Sequence, residues 1–333
     1  MIDPNKLIGR PDLSGGVVTL PECTKKTPIH PRTYRFWNIS NDERLQKLTE
    51  KYLEWVDDDY YLVFQHPKRG YVGFPASKRG NRVYAKRVSD RFDMLKTDIP
   101  ECQFFDPDPS VRIPRSTRAV LVTLTYDREN LLRGGAWDRL PHDYNRFMAR
   151  LRKTCQALFP NQKIHIAALR GNEAHRDAYP HIHALIVFDF SIPVVRHVGK
   201  NGESWRISRE WRDRIKSCWD HGFSDVLAVY GTHEGINYIA KYITKNLIVY
   251  AEDADRKAIS AFAIQWSRSM RAFSFSQEFI RLMGATSPRL DRTTHNSNPS
   301  EWTYIGALPP CYEKCLEWHG KIPDNCPYRV DDG

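Results

Sequence analysis

No run of about 18 apolar residues occurs anywhere in the 333-residue chain, so no helical membrane span is expected. The opening Met1-Ile2-Asp3-Pro4-Asn5-Lys6 lacks the charged-then-apolar layout of a secretory signal. Cysteine is sparse: seven residues, an odd number scattered over a long chain, argue against a disulfide framework and for a reducing, cytoplasmic setting. There is no internal repeat. The pattern Gly-x-x-x-x-Gly-Lys-Ser/Thr is also missing, which removes the nucleotide-triphosphate cradle built on it.

What is present is a globular composition with a cationic bias. Hydrophobic residues make up 41% and aromatics 12%, enough for a real core. Fifty Lys and Arg stand against 40 Asp and Glu, a formal net charge of +10. That excess favours a polyanionic partner and is silent on fold.

Residues 1–30 read as an irregular arm. Asp42 to Tyr60 reads as a helix with Leu45, Leu48, Tyr52 and Trp55 on one side, and Tyr61 to Phe64 as a strand. Between 61 and 100, nine Lys/Arg alternate with Tyr71, Phe74, Tyr84 and Phe92. This is the composition of a surface that holds phosphates and stacks bases, with Lys78, Arg79, Arg82, Lys86 and Arg87 as its candidate contacts. A solvated face over ordinary core aromatics has the same composition. Residues 1–110 therefore form a basic N-terminal region and a candidate DNA-binding accessory domain.

The proline-rich stretch Pro100–Arg115 reads as a linker, and residues 115–283 as the main domain. Val120–Tyr126 is β-branched and reads as a central strand. Leu140–Phe159 carries Tyr144, Phe147, Met148, Leu151 and Cys155 at helical spacing. Lys163–Leu169 and His181–Phe188 read as strands joined through the polar turn 170–177. Trp211–Trp219 reads as a helix, Asp225–Tyr230 as a strand and Gly235–Leu247 as a helix. This order predicts an α+β fold, a central antiparallel sheet with helices packed on a face. Residues 284–333 read as an irregular tail.

Two short segments carry chemistry. In Pro180-His181-Ile182-His183, residues two apart on a strand share a face, so His181 and His183 can converge on one ion. A hairpin closing after Glu173 brings that carboxylate to the same face. Two imidazoles and a carboxylate suit Mg²⁺ or Mn²⁺ and leave coordination positions open. His175 and His165 are alternative ligands, with His175 the better placed. Taken alone, a His-x-His pair is equally at home hydrogen-bonded on a solvated sheet face.

The second segment is Tyr238-Ile239-Ala240-Lys241-Tyr242-Ile243-Thr244-Lys245. Tyr238 and Tyr242 are four apart and stack on one helical face, with Lys241 and Lys245 as the adjoining stripe. A phenol near pKa 10 needs a neighbouring cation to act as a nucleophile, and these lysines supply one. The same pattern also describes packing tyrosines beside surface lysines. Next to a metal strand, the chemical reading gains weight.

With these residues in place the chain resembles the HUH endonuclease superfamily, specifically two-tyrosine rolling-circle replication initiators of phages and plasmids. Leu121–Tyr126, Pro180–His183 and Tyr238–Lys245 resemble its three motifs in order, and Trp219–Val226 resembles the element before the nucleophile helix. The likeness spans roughly residues 115–280. It implies site-specific, metal-dependent nicking and rejoining of single-stranded origin DNA through a 5′-phosphotyrosyl intermediate. Tyr238 would cut first and Tyr242 second, with Lys241 stabilising charge and Lys245 holding backbone. Thr123 and Thr125 would border the DNA cleft, and Arg268 and Arg271 would clamp phosphates. The setting implied is the cytoplasm of a prokaryotic host, with a host helicase and DNA polymerase as partners. The same motifs leave open a plasmid relaxase or single-strand transposase, a metal hydrolase of small phosphoesters, and a non-catalytic DNA-binding protein. In the tail, Cys311, Cys315, His319 and Cys326 could hold Zn²⁺, although free cysteines are the simpler reading.

Overall fold

A computed structural model describes residues 31–58, 60–67, 70–98, 105–107, 114–175, 177–199, 202–244, 256–282 and 303–308. The architecture is α+β. Its centre is a seven-stranded sheet in which every pairing is antiparallel. Strand β4 (Pro114–Thr125) pairs along one edge with β6 (Pro180–Gly199), which pairs in turn with β5 (Ile166–Ala174). The other edge of β4 is shared by β3 (Phe105–Pro107) and β8 (Ser224–Ala228). Strand β9 (Phe273–Phe275) extends β5, and β7 (Gly202–Ile207) folds back on the far end of β6.

Alternation along β4 and β6 sorts the two faces. Val122, Leu124, Ile182 and Ala184 point one way, while Thr123, Thr125, His181 and His183 point the other. Helix α3 (Arg133–Leu158) covers the first face: the Arg170 guanidinium, on that side of β5, lies 4.4 Å from the centre of the Tyr144 ring. Helix α5 (Thr232–Thr244) covers the histidine face. Helices therefore cover both faces of the sheet, where one covered face was expected.

The N-terminal helices join this core. α1 (Asp42–Asp57) is capped by Asn41, whose Oδ1 accepts from Arg44 N at 2.9 Å, with Asp42 and Glu43 in the favourable first turn. It buries Leu45, Leu48, Tyr52 and Val56. Trp55, expected on that stripe, instead turns its ring toward the Lys78 ammonium at 5.2 Å. α1 packs against α6 (Arg256–Ser267), and α2 (Arg82–Asp98) against α5. One contiguous hydrophobic cluster runs from Ile39 to Phe279, so the residues before 110 are built into the main core.

Other boundaries shift for identifiable reasons. α3 begins seven residues before Leu140 despite Gly134, Gly135 and Pro141, because Ala136, Trp137 and Leu140 extend the buried stripe. Tertiary burial there outweighs local propensity. The polar stretch Arg170–Ala174 is strand, not turn, since it lies between β6 and β9. The expected linker contributes β3. The expected irregular tail contributes β10 (Thr303–Leu308), which pairs with β1 (Tyr61–His66) opposite β2 (Gly70–Pro75) in a separate three-stranded sheet. The arm 1–30 and Cys311, Cys315, His319 and Cys326 lie outside the described residues. α7 (Gln277–Leu282) closes the main domain.

α5 sits unusually close to the sheet. A Cβ at Gly235 would lie 2.8 Å from both methyl carbons of fully buried Leu185 and 3.3 Å from Val229. Gly235→Ala is therefore expected to destabilise the fold by about 1–3 kcal/mol through overpacking, against about 1 kcal/mol gained in helix propensity. Urea unfolding checks this, and adding Leu185→Val should recover part of the loss.

Candidate metal and tyrosine site

The register of three strands builds the site. Thr123 stands opposite His183 and Thr125 opposite His181 across β4–β6, while Glu173 stands opposite His181 across β5–β6. Glu173, His181 and His183 each present a ligand atom, all within 4.8 Å of one another. The Nε2 atoms of His181 and His183 lie 2.9 and 3.1 Å from the same Glu173 oxygen, Oε2. Among the described residues this is the one group of three or more such side chains that could hold a metal.

The far side of each imidazole is also engaged. Thr123 Oγ1 lies 3.1 Å from His183 Nδ1, and His175 Nε2 lies 3.0 Å from His181 Nδ1. With both Nδ1 atoms donating outward, both Nε2 lone pairs face inward, the tautomer a cation requires. His175 must then be a neutral acceptor. Burial foremost, then the charges of His181 and Arg128, lower its pKa and favour that form. Sequence reasoning placed Thr123 at a DNA cleft and His175 among the ligands, whereas the geometry makes each a support for a ligand.

Burial alone would raise the Glu173 pKa, but hydrogen bonds from His181 and His183, with their charge, hold it down at about 2. A carboxylate ionised at neutral pH beside two imidazoles is a hard, mixed N/O donor set. It fits a divalent cation such as Mg²⁺ or Mn²⁺, and it does not select between them.

The Tyr238 ring stands edge-on to His183, with ring centres 6.1 Å apart at 73°. Ile236 and Ile239 of α5 are buried beneath it, and Lys241 is exposed. Tyr242 lies in α5, but its side chain, like the whole of Lys245, lies outside the described residues. Tyr126, close to Thr125, is a different kind of residue. Its hydroxyl donates to Asp143 Oδ2 at 3.0 Å, and burial followed by the Asp143 charge drives its pKa far upward, so it stays a phenol. Asp143 is fully buried and also meets Arg139 at 3.4 Å and His221 at 3.4 Å. The Trp219–Val226 element thereby fastens the end of β4: Trp219 Nε1 donates to Thr125 O and Asp127 N to His221 O.

The expected DNA contacts divide. Lys78 is only 1% exposed and donates to the carbonyls of Trp55 and Asp58, so it is a buried cap on α1 and not a surface cation. Arg79 bridges Gln265 Oε1 at 3.0 Å and Met270 O at 2.5 Å. Arg268 is paired with Asp138 at 2.6 Å. Arg82, Lys86, Arg87 and Arg271 are exposed. Of the interleaved aromatics, Phe92 is buried and Phe74 is 54% exposed beside Phe64, which also meets Tyr304 from β10.

Residues 119–247 match the model of a family of replication-associated proteins, the one that takes its name from the ORF2 product. The matched stretch runs from β4 to just beyond α5 and contains the Glu173–His181–His183 group, Tyr238 and Tyr242. That stretch is similar to replication-associated proteins, as a replication initiator would be. No curated protein and no solved structure matches the chain.

If the outward hydrogen bonds set the ligand tautomers, Thr123→Val and His175→Ala should each weaken Mn²⁺ binding by about 10- to 100-fold. Electron paramagnetic resonance of free Mn²⁺ measures this, and unchanged affinity in both variants would contradict it. A second expectation concerns acid stability without metal. An acid whose folded pKa is depressed stabilises the fold above its ordinary value of 4.5, and that stability is lost as pH falls toward about 2. Glu173→Gln should flatten the stability profile across this window in chelator.

Proposed function

We propose that this chain initiates rolling-circle replication by nicking and rejoining single-stranded origin DNA. The observation that carries the reading is the placement of Tyr238 against His183, on the face where Glu173, His181 and His183 converge. The similarity to replication-associated proteins over this same stretch supports it.

Glu173, His181 and His183 would hold a divalent cation, which when bound supplies Lewis-acid polarisation of a phosphate oxygen. Thr123 and His175 keep the imidazoles aimed. Tyr238 loses its phenolic proton and its oxygen attacks phosphorus. The bond to the 3′ oxygen breaks, and that oxygen takes a proton. The products are a 5′-phosphotyrosyl link and a free 3′-hydroxyl for a host polymerase to extend. Rejoining is the reverse attack by a 3′-hydroxyl, so bond energy is conserved without nucleotide hydrolysis. Tyr242, one helical turn further along α5, is the proposed second nucleophile. Lys241 is the proposed balancing cation for developing charge, with Lys245 on the backbone. Exposed Arg82, Lys86, Arg87 and Arg271 are proposed phosphate contacts. Unwinding falls to a host helicase in the bacterial cytoplasm.

Incubation with labelled origin-strand DNA and Mn²⁺, followed by denaturing electrophoresis, tests the reading. The expected result is a covalent protein–DNA band that chelator abolishes. Glu173→Gln, and Phe at both 238 and 242, should each reduce it at least about 100-fold. An undiminished band in the double tyrosine variant would overturn the assignment. Turnover of a small phosphoester without any band would favour the hydrolase alternative.

A further inference from the structure

The two most exposed large apolar side chains among the described residues are Phe36 at 91% and Leu132 at 71%. They rim the same cavity, about 300 Å³ in volume, whose wall also includes Trp37, Asn38, Asp138 and Arg268. Isolated exposed hydrophobics are ordinary, but two of this size on one concavity need a cover. The wall is aromatic and charged. The Arg268 side chain is 7% exposed, with Nε 2.6 Å from Asp138 Oδ1, and exposed Arg35 places its guanidinium 5.6 Å from the centre of the Phe36 ring.

This cavity belongs to the same end of the sheet as the metal ligands. β4 ends at Thr125, opposite His181, and the chain passes through residues 126–132 into α3. Arg133, the first residue of α3, donates from Nε to Ile39 O at 2.9 Å and from Nη1 to Asp177 O at 3.1 Å. Trp137 Nε1 donates to Ala178 O at 2.8 Å. Asp177 and Ala178 lie in the turn joining the Glu173 strand to the His181 strand. The segment carrying Phe36 and the hairpin carrying the ligands are thus one hydrogen-bonded unit.

We infer that this cavity receives an unpaired base of the DNA strand that passes the metal and tyrosine site. The inference rests on the proposed nuclease reading for the identity of the strand. A base offers a flat π-face to Phe36 and Trp37, and its polar edge can meet the Arg268–Asp138 pair, which offers both donors and acceptors. Arg35 supplies cationic charge for the adjoining phosphate. A volume at the low end of the range for ligand pockets, about 300–1,000 Å³, suits one nucleotide and is too small for a folded partner. Arg268, expected to clamp phosphate, becomes on this reading a contact to the base edge.

Fluorescence anisotropy in chelator separates base from backbone. The full chain is titrated with labelled oligo-thymidylate of about 20 nucleotides and with an abasic strand of equal length. The wild type should bind the base-bearing strand at least about fivefold tighter. Phe36→Ala and Leu132→Ser, both at exposed positions and checked by thermal melting, should remove most of that preference while leaving affinity for the abasic strand unchanged. An unaltered preference in both variants overturns the inference, as does an equal loss on both strands. Sedimentation of the free protein adds a third outcome: a dimer that Phe36→Ala dissolves would make a second copy the occupant and overturn the base assignment. If the covalent band forms but the preference survives Phe36→Ala, this inference fails and the nuclease reading stands. If no band forms and the preference is lost, the reverse holds.

Discussion

The register of β6 between β4 and β5 is the constraint on which the site depends. Because side chains alternate along a strand, a slip of one residue would send His181 and His183 to the opposite face, under α3, and bring Ile182 and Ala184 into the position of the ligands. The register is held from both directions. Ile182, Ala184, Leu185 and Ile186 are all fully buried, so neither face tolerates the exchange. The rigidity of the imidazoles is thus a by-product of core packing, reinforced at each ring by a hydrogen bond on the side away from Glu173.

The second element of the site is brought in by close packing. α5 is amphipathic, with Ile236, Ile239 and Ala240 buried, and its contact with Leu185 is near enough that only a residue without a side chain fits at 235. Leu185 lies two residues beyond His183 on the same face of β6. The distance between imidazole and phenol is therefore set by the same strand that carries the ligand. Buried cationic and acidic groups complete the frame: Asp143, enclosed by Arg139, Tyr126 and His221, holds the end of β4 against α3 and the 219–226 segment.

Much of this was legible in the sequence because it depends on local pattern. The period-two placement of His181 and His183 and the four-residue spacing of Tyr238 and Tyr242 are properties of short segments, and the strand and helix they imply are present. Glu173 was found through hairpin arithmetic, although the hairpin is tighter than expected, with β5 running on to Ala174. What escaped was decided by distant partners. Nothing near Lys78 announces that its ammonium ends on the carbonyls of α1, and nothing near residue 303 announces a strand whose partner is β1. The β6–β7 hairpin did leave a signal, Asn201-Gly202 between two runs of alternating apolar residues, which reads as a tight turn.

The pairing of β10 with β1 joins positions from nearly opposite ends of the described chain. A polypeptide emerging from the ribosome would complete its main sheet and both histidine-bearing strands well before this partner was synthesised. Until then β1 would present an unpaired edge, the kind of surface on which chains recruit one another. Shortened versions ending before residue 303 would keep that edge permanently and would be prone to self-association, whatever their catalytic competence.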